Sequence, residues 1–185
     1  MPRLIYSMGV SLDGFVAGPG GEIDWSAPDE ELHRFHNQQM RTIGAQLCGR
    51  RLYEEMLPWE SVEEKPATSE FELEFARIWK GVEKVVFSTT LEEVEGNARL
   101  AAGSVSEEVA VLKEQSGGDL AVGGAGLASV AIESGLVDEY GLFVSSVVLG
   151  GGTPFFPALA RRFELELVET KTFGCRVVYL RYRRV

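Results

Sequence analysis

The sequence predicts an α/β protein with a mixed, mainly parallel sheet, flanking helices and an antiparallel C-terminal edge. Three observations carry this. Apolar, β-rich runs at 4–12, 45–48, 84–87, 119–122 and 140–149 alternate with stretches of helical periodicity. One run passes through Gly123-Gly124-Ala125-Gly126 directly into a helical stretch. The last two runs, 163–172 and 176–183, are joined only by a turn at Phe173-Gly174. Strands linked by helices pair in parallel, and strands linked by a short turn pair antiparallel.

Taken in order, the run at 4–12 is a buried strand that ends at Asp13-Gly14 and feeds a loop containing Gly18-Pro19-Gly20-Gly21. Ser26 or Asp29 caps a helix whose face is Leu32, Phe35, Gln39 and Ile43. A short strand at 45–48 ends at Gly49-Arg50-Arg51. Glu54, Glu55, Glu60, Glu63, Glu64, Glu70, Glu72 and Glu74, interrupted by Pro58 and Pro66, form a mostly solvated acidic stretch. A helix follows through Phe71, Phe75, Ile78 and Trp79, then a strand at 84–87, a helix at 106–115 and the strand at 119–122. The glycine turn opens a helix at 127–133, and the strand at 140–149 ends in Gly150-Gly151-Gly152. The chain, 1–185, reads as one domain.

Composition excludes several functions. With 18 Lys plus Arg against 28 Asp plus Glu, the net charge is −10, which opposes a nucleic-acid backbone or an anionic membrane surface. The sequence is 45% apolar and 25% charged, with no apolar run of membrane-spanning length. Met1-Pro2-Arg3-Leu4-Ile5-Tyr6 reaches Asp13-Gly14 too soon for a secretory leader, so a cytoplasmic location is expected. Cys48 and Cys175 match no metal or redox spacing and read as reduced core residues.

The sharpest chemical signal is the strand, glycine turn and helix at Asp119–Ser129. A helix start offers unpaired N–H groups and partial positive charge, and glycine lets an anion approach the main chain. Gly124-x-Gly126-x-x-Ser129 lacks the third glycine of a Rossmann fingerprint, and no P-loop Lys follows. Gly49-Arg50-Arg51 and Ser88-Thr89-Thr90 also follow strands, where α/β sheets bind ligands, and suit a further phosphate such as the 2′-phosphate of NADP. His33 and His36, with acids nearby, raise the alternative of a metal-dependent hydrolase, although two His without a nearby Cys make a poor zinc set and no metal site is expected. No GxSxG is present.

Together these segments resemble the dihydrofolate reductase-like proteins, including the reductase domain of the bifunctional deaminase/reductase of riboflavin biosynthesis, over nearly the whole chain. The residues carrying the resemblance are Ser11-Leu12-Asp13-Gly14-Phe15-Val16-Ala17-Gly18, Gly49-Arg50-Arg51-Leu52-Tyr53-Glu54, Val85-Val86-Phe87-Ser88-Thr89-Thr90-Leu91, Gly123-Gly124-Ala125-Gly126-Leu127, and Leu136-Val137-Asp138-Glu139-Tyr140 leading to Val148-Leu149-Gly150-Gly151-Gly152. The resemblance implies an NADPH-binding reductase, with 5-amino-6-(5-phosphoribosylamino)uracil reduction as the riboflavin-pathway activity. It places Gly123, Gly124, Ala125, Gly126 and Leu127 at the pyrophosphate, and Arg50 or Arg51 with Ser88 at the 2′-phosphate, with Gly49 and Thr89 as further cofactor-binding residues. It places Val16 and Ala17 at the nicotinamide, and Glu31 on the heterocycle as catalytic acid. Leu52 stands where true dihydrofolate reductases usually carry Thr, and Tyr6 to Gly9 replace the first-strand Lys pattern of the riboflavin-pathway enzymes.

The expected reaction is hydride transfer from NADPH to a C=N or C=O carbon of a pterin-like, aminopyrimidine or related small heterocycle held between the first helix and the Gly18–Gly21 loop. The proton would come from water or Glu31. The rival is a nucleotide-binding regulatory module without turnover. An apolar face of Phe143, Val147, Val177 and Tyr179 suggests a homodimer.

Overall fold

The computed structural model describes residues 1–65 and 68–185. Its strands are β1 (Leu4–Ser11), β2 (Phe15–Ala17), β3 (Ile43–Gly49), β4 (Glu83–Phe87), β5 (Ala98–Leu100), β6 (Asp119–Gly123), β7 (Glu139–Ser145), β8 (Thr153–Pro154), β9 (Leu165–Thr172) and β10 (Val177–Arg184). Its α-helices are α1 (Glu30–Met40), α2 (Arg50–Met56), α3 (Glu70–Gly81), α4 (Val105–Gln115) and α5 (Ala125–Glu133). The main sheet has the order β5-β4-β3-β6-β1-β7-β10-β9, and β2 pairs with β8. Pairing is parallel from β5 to β7 and antiparallel for β10 against both β7 and β9. The architecture is therefore the predicted mixed sheet with an antiparallel edge.

Local chemistry fixes most helix starts. Asp29, not Ser26, caps α1 by accepting from Leu32 N–H at 2.9 Å. Ser69 with Glu72, and Ser104 with Glu107, form reciprocal capping boxes on α3 and α4. The acidic stretch is thus less idle than expected: Glu72 closes a cap, Glu63 pairs with Lys80, and Glu60 reaches the fully buried Lys84 at 3.3 Å. Pro66 and the side chain of Glu64 lie outside the described residues.

Several boundaries differ from the sequence reading, and the strand β5 was not expected. Thr42 ends α1 by turning both its N–H and its hydroxyl onto the Gln39 carbonyl, so Ile43 starts β3 instead of extending the helix face. The strand predicted to reach residue 149 stops at Ser145, because the following segment is tied to the β1–β2 turn: Leu12 N–H donates to the Val147 carbonyl, and Leu149 and Gly150 N–H donate to Asp13. β5 is three residues long and shows no alternation, so it carries no strand signal.

The two sheet faces are covered unequally. On one, Tyr6, Leu47, Val85, Leu120 and Val122 pack with Val109 and Leu112 of α4 and Ala128 and Ile132 of α5. On the other, the cover is split. Leu32 and Phe35 of α1 pack on Phe143, Val177 and Tyr179, while Tyr53 of α2 and Phe75 and Trp79 of α3 pack on Cys48 and Val86. Between these clusters β1 and β6 present small residues, Ser7, Gly9, Ala121 and Gly123, and a cavity remains there. Of the apolar face expected to pair two subunits, Phe143, Val177 and Tyr179 are buried beneath α1 of the same chain, while Val147 is half-buried outside that cluster. Burial pushes the Cys48 thiol up to about 12, as expected of an inert core cysteine, whereas Cys175 is half-buried.

Candidate functional site

The register of the parallel strands decides which loops meet. Cys48 lies beside Gly123 and Gly49 beside Phe87, so the C-terminal ends of β4, β3 and β6 stand side by side. This brings Ser88, Gly49-Arg50-Arg51 and Gly123-Gly124 to one rim, where α/β sheets place their ligands. A Cβ on Gly124 would stand 3.7 Å from Gly49 N, and one on Gly49 would stand 3.8 Å from Leu127 Cβ, so the two turns face each other across one narrow gap.

The turn itself is built for main-chain exposure. Gly124 has φ +88°, a conformation strained for any residue with a Cβ, and it is the N-cap of α5. No side chain caps this helix, unlike α1, α3 and α4. Ala125 and Gly126 belong to its first turn, so the helix begins two residues before the predicted start. The first-turn N–H groups of Ala125, Gly126 and Leu127 therefore have no helical acceptor, and space is open around the Gly126 Cα. At Gly123 a Cβ would meet the end of the Leu52 side chain, which lies over the turn and would have to move aside.

The cationic side is less prepared. Arg50 is held by Glu54, one turn along α2, at 3.1 Å to both carboxylate oxygens. Arg51 is exposed and has no ion pair among the described residues. Ser88 Oγ accepts from Thr90 N–H at 3.1 Å and Leu91 N–H at 3.0 Å, and it pairs with the Thr90 hydroxyl at 3.4 Å. Thr89 is exposed beside it.

Val16 and Ala17 lie on β2. Val16 is buried in the main core, so only Ala17 and the strand backbone remain for a ligand. The Ala17 carbonyl lies so close to Gly152 that a Cβ on that glycine would collide with it. Asp13 holds this corner together, accepting from Ser11 Oγ at 2.7 Å, Leu149 N at 3.1 Å and Gly150 N at 2.7 Å. These bonds, the Ser11 hydroxyl foremost, lower its pKa to about 2.

The cavity between the two helical covers has a volume of about 610 Å³ and reaches from Arg3 and Asp119 at the strand starts to Gly123 and Leu52 at the rim. Its walls include Ile5, Phe35, Phe143 and Trp59. Three of its lining residues carry buried polar atoms with no partner among the described residues: Ser7 Oγ, Gln46 Oε1 and His33 Nδ1. Buried polar groups are nearly always paired, so these three atoms are open to a ligand or an ordered water in the cavity.

One sequence expectation changes here. Glu31 is not among the cavity-lining residues. It is exposed on the outer side of α1, 3.4 Å from Gly174 N–H and 4.0 Å from Lys171 Nζ, because Leu32 and Phe35 take the inward positions. The residues of α1 that do reach the cavity include His33, His36 and Gln39, and Gln39 donates to Tyr179 OH at 2.7 Å. Neither His33 nor His36 forms an ion pair with a carboxylate among the described residues, although Glu72 and Glu74 lie near enough to His33 to act on its charge. His33 packs against Phe71, Phe75 and Trp59, and His36 against Phe143 at 4.3 Å. Burial lowers the pKa of both, that of His36 to about 4. Among the described residues no group of three His, Cys, Asp or Glu side chains could hold a metal ion.

Sequence reasoning missed Ser7, Gln46, His36 and Tyr179 as cavity residues. A signal was present in the period-2 pattern of β1 and β6, where Ser7, Gly9, Ala121 and Gly123 leave one face without bulk.

Comparison with known proteins agrees with this fold. The family model of the RibD C-terminal domain matches residues 2–179. YyaP of Bacillus subtilis (strain 168), whose function is uncharacterised, is 37% identical over 97% of this chain and 94% of its own. The diaminohydroxyphosphoribosylaminopyrimidine deaminase/5-amino-6-(5-phosphoribosylamino)uracil reductase of Thermotoga maritima superposes with a TM-score of 0.70 at 17% identity, over 100% of this chain and 57% of that one. The dihydrofolate reductase of Enterococcus faecalis, solved with NADP(H), superposes at 0.62 with 18% identity, over 98% and 96% of the two chains. At these identities the superpositions show a shared fold.

Proposed function

The chain belongs to the RibD C-terminal domain family, and on that footing we propose that it is an NADPH-dependent reductase of a pterin-like, aminopyrimidine or related small heterocycle. The observation that carries this reading is the uncapped helix start at Gly124–Leu127, which adjoins a heterocycle-sized cavity through Gly123. A pyrophosphate fits the site chemically, because the first-turn N–H groups of α5 lack acceptors and Gly126 adds no side chain between them and solvent.

The chain's own residues bind and align. Ala125, Gly126 and Leu127 donate main-chain N–H groups to the pyrophosphate. Arg51 and the Ser88 hydroxyl meet the 2′-phosphate from the neighbouring strand ends, with Thr89 beside them, and Arg50 joins once it leaves Glu54. Ala17 and the β2 backbone border the nicotinamide, and the cavity holds the heterocycle. When bound, NADPH supplies a hydride to the C=N or C=O carbon, and a proton from water at the adjoining nitrogen or oxygen completes the reduction. Micromolar affinity requires about −8 kcal/mol. A helix terminus gives up to ~2 and a charge-assisted Arg bond ~1.5–3, so ring contacts along β1 and β2 supply the remainder.

The test follows NADPH absorbance with a panel of pterins and aminopyrimidines. Oxidation that depends on one of these supports the proposal. Saturable NADPH binding with no oxidation across the panel contradicts it and favours a regulatory module.

A further inference from the structure

Resting on the reductase reading above, we infer that the heterocycle taken by this cavity carries no phosphate. The cations that line it are Arg3 and Arg181, and both are committed. Arg3 donates to Asp119 and, at 2.8 Å, to Glu139. Arg181 donates to Glu169 at 3.1 Å and to Glu139 at 3.4 Å. Arg183 reaches Glu139 as well, at 3.3 Å, so three guanidiniums face three carboxylates. Glu139 is only 1% exposed. The cluster is balanced, three charges against three, so an arginine drawn away to meet a phosphate would leave excess negative charge beside the buried Glu139, at a cost in free energy.

The remaining lining points the same way. His33 and His36 are kept neutral by burial, so neither adds positive charge near neutral pH. Lys171 lies outside the lining at the α1 end, over the Phe35 and Phe173 rings and 4.0 Å from Glu31. What the cavity offers instead is neutral: the orphaned Ser7 Oγ, Gln46 Oε1 and His33 Nδ1, set among aliphatic and aromatic walls. A mixed set of neutral donors and acceptors matches the edge of an uncharged ring, whereas a phosphate dianion asks for free cations or unpaired N–H groups. In this respect the chain departs from the phosphoribosyl substrate named for the Thermotoga relative.

The test titrates neopterin and neopterin monophosphate into the full-length protein by calorimetry, with and without saturating NADP⁺. Neopterin is expected to bind at least about tenfold more tightly than its phosphate, a difference of about 1.4 kcal/mol. Ser7→Ala and Gln46→Leu are each expected to weaken neopterin severalfold without lowering the thermal midpoint, since neither removes a bond present in the free protein. Glu169→Gln, which releases one side of Arg181, is expected to narrow the gap between the two pterins. Tighter or equal binding of the monophosphate, in protein that still oxidises NADPH, overturns this inference and leaves the reductase reading intact. Binding of NADP⁺ with neither pterin bound overturns the assignment of the cavity, and absence of NADP⁺ binding overturns the reductase reading itself.

Discussion

Gly126→Ala separates a glycine kept for folding from one kept for binding. Gly126 sits in the first turn of α5, has helical backbone angles, and has nothing within 4 Å of the position a Cβ would take. Alanine there loses less chain entropy on folding, so the substitution is expected to stabilise the protein by ~0.4–1 kcal/mol. For a chain of this size ~1 kcal/mol moves the midpoint by about 2–4 °C, giving a rise of about 1–4 °C. The same methyl group would stand where the pyrophosphate approaches the N–H groups, so NADPH affinity is expected to fall about tenfold or more. Thermal unfolding gives the first quantity and fluorescence titration of NADPH the second. A raised midpoint with unchanged affinity would refute the assignment of the pyrophosphate to this helix start. A lowered midpoint would refute the backbone description of the turn.

Three further outcomes follow. Gly124→Ala has room for its Cβ but not for its φ of +88°, so a loss of about 1–3 kcal/mol is expected in thermal unfolding, together with weaker NADPH binding. Arg51→Ala should reduce the preference for NADPH over NADH, measured as the ratio of dissociation constants, while Glu54→Gln, which frees Arg50, should increase it. The low pKa of half-buried His36 makes stability depend on pH with a defined sign. Between about 6.5 and about 4 the unfolded chain takes up a proton that the folded chain refuses, so this contribution is complete above the upper value and is lost as pH falls, by up to ~3 kcal/mol. His33, shifted the same way, adds to the slope, and midpoints measured over that range should flatten in His36→Gln.

Most of the sheet was legible in the sequence because its strands are short apolar runs cut by glycine or polar residues, and the antiparallel edge followed from the brevity of the turn after Phe173. The cofactor side was legible for a related reason: parallel register brings consecutive strand ends together, so Gly49, Ser88 and Gly123 could be grouped before their contacts were known. The cavity was not. It exists because α1 and the pair α2 and α3 cover separate parts of one sheet face, and helix placement is a tertiary outcome that no local pattern encodes. Glu31 illustrates the same limit. Sequence assigned it to the right helix, but helix rotation was set by Leu32 and Phe35 burying against Phe143 and Tyr179, and this turned Glu31 outward. The mid-chain acids were misjudged where their partners, such as Lys84 for Glu60, lie far along the chain.

The most direct measurement follows the backbone amide resonances of Ala125, Gly126 and Leu127 in isotopically labelled protein during titration with NADPH. Saturable shifts at these three, which nicotinamide mononucleotide does not reproduce, are the predicted result. Saturation elsewhere in the chain while these three amides stay in place would contradict the account.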